Sequence, residues 1–195
     1  MNIIQDYLIL DNLDLPTIPW QQCDSLTQFD NEILWTVKNE PTKEGLGETF
    51  GKIGITAKEA KEFVQSQVQN LANHRMLICY PYYTAVKSGT LDLNYDRSVI
   101  EAVEGKIENL AKKNRVNVTM IFTEDSLDMV GDDKFLSEEE SLTLIDYCKE
   151  VKKRCTKDLE YGKNILIHWS FVQETKQNMI PKEEQKLVFY KIKIL

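Results

Sequence analysis

The chain has 195 residues, 42% of them hydrophobic and 28% charged, and a formal net charge of -7 at pH 7. These proportions are those of an ordinary globular chain, so they exclude a disordered tail or a fibrous repeat and allow one core or two small lobes. The negative charge also opposes long-range attraction to a nucleic-acid backbone, so nucleic acid is not an expected partner.

The first ten residues, MNIIQDYLIL, are apolar but interrupted by Gln5 and Asp6, with no basic leader and no small-residue cleavage site. No apolar run approaches the roughly 20 residues of a membrane span. A cytoplasmic protein without membrane contact is the expectation. The prolines of LPTIPW, residues 15–20, mark a turn or extended segment, and EILWTVK, residues 32–38, reads as a buried strand. Residues 45–54, GLGETFGKIG, hold four of the eight glycines and read as a turn or hairpin. Thr56 and Glu59 form a T-x-x-E capping box, after which Ala57, Ala60, Val64, Val68 and Leu71 recur at helical spacing.

MLICYPYYTAV, residues 76–86, reads as one central strand, and Ser88-Gly89 as a turn into TLDLNYD, where Leu91, Leu93 and Tyr95 alternate with polar residues. VIEAV at 99–103 and VNVTMIF at 116–122 are further strand candidates, separated by KIENLAKK as a short helix. Ser137 and Glu140 make a second capping box opening the longest helix, with Leu144, Ile145, Cys148, Val151 and Cys155 as its buried stripe and Gly162 closing the segment. Within this helix the acidic SEEE at 137–140 precedes the basic KEVKKR at 149–154, the order that suits the helix dipole, so the basic cluster reads as solvated surface. NILIHWSF at 164–171 and KLVFYKIKIL at 186–195 are two closing strands joined by a polar loop containing Pro181. Strands in runs with interspersed helices point to an α+β fold with largely antiparallel sheets.

Cys23, Cys79, Cys148 and Cys155 are scattered without a C-x-x-C pair and read as core thiols. With only His74 and His168 a histidine-based metal cluster is disfavoured, and GxxxxGK[ST], GxSxG and HExxH are absent from the sequence. What remains is the Gly-rich turn flanked by Lys38, Lys43 and Lys52, either a cradle for a phosphate or a plain surface hairpin.

The order of these segments resembles the nucleotide-binding domain of phosphoenolpyruvate synthase and pyruvate phosphate dikinase, within the ATP-grasp superfamily, over roughly residues 33 to 195. The likeness runs through TVK at 36–38, the Gly-rich turn and its following helix, Tyr80 to Gly89, IEAVEG at 100–105, LSEEESLTLIDYCKEV, IHWS and KLVFYKIKI. It implies two small lobes with largely antiparallel sheets around a cleft: residues 1–86 as a nucleotide-binding lobe and 87–195 as a second lobe with the long helix.

By that resemblance Lys38 and Lys52 serve phosphates, Tyr80 and Tyr82 line the adenine, and Glu101 binds ribose or metal. Beside it stands the plainer account, in which the tyrosines pack in the core and Glu101 is an exposed strand residue. The family has Glu immediately before the Trp of the penultimate strand and Gln and Arg in the last one. Here His168 precedes Trp169, and Lys191 and Lys193 occupy the final strand. Imidazole and ammonium in place of hard oxygen donors disfavour Mg2+. ATP is therefore the cofactor the likeness implies, with an impaired magnesium site. The sequence leaves two functions: a degenerate nucleotide-binding or scaffold protein whose protein partner is unspecified, or an active ATP-dependent ligase or phosphotransferase acting on a carboxylate.

Overall fold

A computed structural model describes residues 3–43, 47–113, 116–123 and 125–195. It is α+β, with a four-stranded sheet in the order β1-β4-β2-β3 and a six-stranded sheet in the order β10-β9-β5-β6-β7-β8. The chain forms two compact units. The first comprises the residues up to Leu8, Thr17–Thr84 and Val172–Lys186; the second comprises Ile9–Pro16, Ala85–Phe171 and Leu187–Leu195.

In the first unit, β2 (Trp35–Pro41) is central, pairing antiparallel with β3 (Phe50–Ile55) on one side and β4 (Arg75–Pro81) on the other. The short β1 (Gln21–Gln22) borders β4. Helix α2 (Ala57–Val68) begins at the capping box, with Thr56 and Glu59 exchanging both hydrogen bonds. Its Ala57, Ala60 and Val64 pack on Trp35, Val37, Leu77 and Cys79, and Val68 and Leu71 extend the same face. The apolar spacing of residues 57–71 thus builds the core on one side of the sheet.

Two features of this region differ from the sequence reading. The apolar N-terminal stretch forms α1 (Ile3–Asn12), whose Tyr7 is fully buried and stacked on Trp20 at 5.7 Å. The single strand read over 76–86 is two strands, because β4 ends at Pro81 and β5 (Tyr83–Leu93) belongs to the other sheet. Proline has no N–H to donate, so the ladder is interrupted where it stands. Of the Gly-rich turn, Gly45 lies outside the described residues and residues 50–55 are β3.

In the second unit β5 continues through Ser88 and Gly89, where a turn was expected. Gly89 is needed for close approach instead: a Cβ there would lie 1.8 Å from the Glu101 carbonyl oxygen and 2.4 Å from the Trp169 ring. The turn falls later, at Asn94–Arg97, where Asn94 N–H donates to the Arg97 carbonyl. β6 (Ser98–Glu104), β7 (Val118–Phe122) and β8 (Leu127–Gly131) follow as an antiparallel meander, with α3 (Glu108–Lys113) between β6 and β7.

Helix α4 (Glu138–Arg154) starts at the Ser137–Glu140 capping box and buries Leu144, Cys148 and Val151. Its Glu140 takes the Lys87 ammonium at 2.5 Å, and its Tyr147 meets Phe189 edge-on. Lys87, Gly89, Leu91 and Leu93 alternate to that same sheet face, as does Trp169, which is wholly buried. The short α5 (Thr156–Glu160) ends before Gly162, whose φ of +76° closes the segment. β9 (Ile165–Thr175) and β10 (Pro181–Ile194) complete the sheet, and Pro181 opens a strand where a loop was expected. All four cysteines are buried free thiols.

A candidate site on the polar face of the first sheet

Strand β2 is buried on both faces, which is unusual for one carrying Thr36, Lys38 and Glu40 in alternation. One face holds Val37 and meets α2. The other presents Thr36, Lys38 and Glu40, with Tyr80 directly across from Thr36 and Ile78 across from Lys38. Directly paired residues share a face. Lys38 therefore places its ammonium 5.9 Å from the centre of the Tyr80 ring. Gly51 lies opposite Lys38 on β3, and a Cβ there would fall 2.2 Å from the Val37 carbonyl oxygen, so the strand needs glycine at this point.

Glu40 is 1% exposed. One of its carboxylate oxygens accepts from the Thr49 hydroxyl at 2.5 Å, while the other, Oε1, has no hydrogen-bond partner. The Tyr7 hydroxyl is likewise buried, and Tyr80 is its side-chain hydrogen-bonding neighbour. Burial pushes Tyr7 well above the ordinary phenol range, and nearby Tyr80 and Glu40 push it further. Tyr80 is raised by burial, against an opposing pull from Lys38. Leaving a buried donor or acceptor unmatched costs on the order of 1–3 kcal/mol. Glu40 Oε1 is such a group, and it lies near Tyr7 and Tyr80, with Lys38 over the Tyr80 ring.

Not all the residues singled out from the sequence gather here. Lys38 and Tyr80 do. Lys52 pairs with Val37 and so lies on the opposite face, its ammonium 5.7 Å from the Phe63 ring of α2. Tyr82 follows β4, where its N–H donates to the Leu34 carbonyl at 2.7 Å and its ring lies beside Gly54. Glu101, His168 and Lys191 belong to the second unit. Tyr7 and Glu40 escaped the sequence reading. Residues 32–38 read as a buried strand, but nothing local in the sequence brings Tyr7 of α1 to Lys38 and Glu40.

In the second unit, Glu101 pairs with Thr90 and accepts its hydroxyl at 3.1 Å. His168 shares that face, because its neighbour Ser170 bonds Ser88 at 2.7 Å while Trp169 points the other way. His168 meets Tyr190 edge-on at 6.0 Å. Burial, with Lys191 and Lys193 adding to it, lowers the histidine to about 4, and Glu108 opposes weakly. Burial raises Tyr190 to about 12. Asp92 lies diagonal to Glu101, whereas Glu104 pairs with Lys87 and points to the other face.

Among the described residues no three His, Cys, Asp or Glu side chains converge as metal ligands would. A neutral imidazole beside two ammonium groups is also a poor donor set for magnesium, which prefers several hard oxygens. No helix among the described residues is long and apolar enough to cross a membrane. No family model matches the sequence, and no curated protein matches it.

Proposed function

We propose that this chain is a degenerate nucleotide-binding protein of ATP-grasp type, which engages a nucleotide through the polar face of its first unit and without magnesium chemistry. The observation that carries this reading is the unmet hydrogen-bonding capacity of buried Glu40 Oε1, set among Tyr7, Tyr80 and the Lys38 ammonium beside that ring. A carboxylate oxygen accepts an exocyclic amino group, a phenol can donate to a ring nitrogen, and an ammonium attracts phosphate. A nucleotide carries all three complementary groups. The poor donor set around His168 argues for binding over phosphoryl transfer, which relies on metal ions to neutralise the transferring group.

The second reading is a scaffold that holds no nucleotide. It is favoured by the burial of Tyr7, Glu40 and Tyr80, at 0%, 1% and 8% exposure, because the face is already filled by the protein's own side chains. A thermal-shift panel separates the two. ATP, ADP and AMP are added with magnesium or with EDTA to the wild type and to Lys38→Ala. A ligand at about 100 times its Kd stabilises the folded state by about 2.7 kcal/mol. ATP is expected to raise the melting temperature equally in magnesium and EDTA, and the rise is expected to vanish in Lys38→Ala. No shift with any nucleotide supports the scaffold.

A further inference from the structure

We infer that β8 is a docking edge for a basic, extended peptide, which adds to the six-stranded sheet as a further strand. This rests on the second unit alone and is independent of nucleotide binding.

β8 is last in the sheet order, so among the described residues no strand lies beyond it. All five of its residues are exposed, including Leu127 at 52%, Met129 at 41% and Val130 at 64%. Three apolar side chains in a five-residue strand left open to water are costly unless something covers them at times.

The ladder fixes which backbone groups are open. At one end Thr123 N–H donates to the Ser126 carbonyl, and at the other Asp132 N–H donates to the Asn117 carbonyl. The register between these ends pairs Phe122 with Leu127, Met120 with Met129 and Val118 with Gly131. Hydrogen-bonded and non-bonded pairs alternate in an antiparallel ladder. Asp128 and Val130 therefore bond to β7, while Leu127 and Met129 turn their N–H and carbonyl groups outward. These groups form a ready edge for strand addition.

Charge selects the occupant. Residues 123–133 read TEDSLDMVGDD, with five acids and no base. A second copy would bring the same five acids against these, and like charges placed across a ladder are destabilising. A strand with Lys or Arg opposite Asp128 and apolar side chains opposite Leu127 and Met129 meets both demands.

The test uses fluorescein-labelled, end-blocked Lys-Val-Lys-Val-Lys-Val-Lys and the same peptide with Glu for every Lys, followed by fluorescence anisotropy on the full chain. The lysine peptide is expected to bind saturably, at least tenfold more tightly than the glutamate peptide. Met129→Pro removes one outward N–H and none that bonds β7, so it should weaken binding at least tenfold with little change in melting temperature. Asp128→Lys, an exposed charge reversal on the strand itself, should narrow the preference for the lysine peptide at least threefold. Light scattering on the unliganded wild type should show a monomer. The inference is overturned by absence of saturable binding, by equal binding to Met129→Pro, which would indicate adsorption to acidic surface, or by a dimer that Met129→Pro dissociates.

Discussion

Gly89 shows most plainly how a residue type can be read for the wrong reason. Beside serine it suggests a turn, yet its φ is not in the left-handed region, and what it supplies is the missing Cβ that lets Trp169 and the β6 backbone close on β5. Overpacked cores lose about 1–3 kcal/mol, and here the blocking atoms include backbone. Gly89→Ala is therefore expected to cost at least about 1 kcal/mol of stability, read as a lower urea midpoint with little change of slope. His168 makes a second test. Its folded-state value of about 4 lies below the ordinary 6.5, so between those limits the unfolded chain binds more protons. Stability from this group is complete above pH 6.5 and is lost as pH falls toward 4. Urea unfolding at pH 4.5, 5.5, 6.5 and 7.5 should show this slope in the wild type and a shallower one in His168→Gln.

Among elements, those with strong local signals were legible and those set by partners were not. Both capping boxes form as the sequence indicates, because a T-x-x-E or S-x-x-E pattern satisfies helix-end N–H groups with no help from the rest of the fold. Thr56→Ala and Ser137→Ala should each cost about 1 kcal/mol, read as a shifted unfolding midpoint. The acidic start and basic end of α4 are likewise present, as Glu138–Glu140 and Lys152–Arg154. By contrast α1 was not read as an element, since its apolar residues do not cluster on one helical face and Tyr7 is buried through packing on Trp20. Register lay beyond the sequence too. Lys38 and Lys52 look equivalent around the glycines, yet the pairing of Val37 with Lys52 sends the two ammonium groups to opposite faces. β8 was missed because LDMVG is short and acidic, and only its pairing with β7 makes it a strand.

At the scale of the whole molecule, the α+β class and antiparallel pairing were readable from alternating strand runs and the absence of regular strand-helix alternation. The two compact units each have a helix on one sheet face, α2 in the first and α4 in the second, and each leaves polar residues on the other. In the first unit that polar face holds Lys38, Glu40, Tyr80 and Tyr7, and the proposed function depends on it. The most direct measurement is isothermal titration of ATP into the wild-type protein, once with magnesium and once with EDTA, and again with Lys38→Ala. Saturable heats of equal affinity in both buffers, lost in Lys38→Ala, are the predicted result. Binding that requires magnesium, or no heat of binding in either buffer, would contradict it.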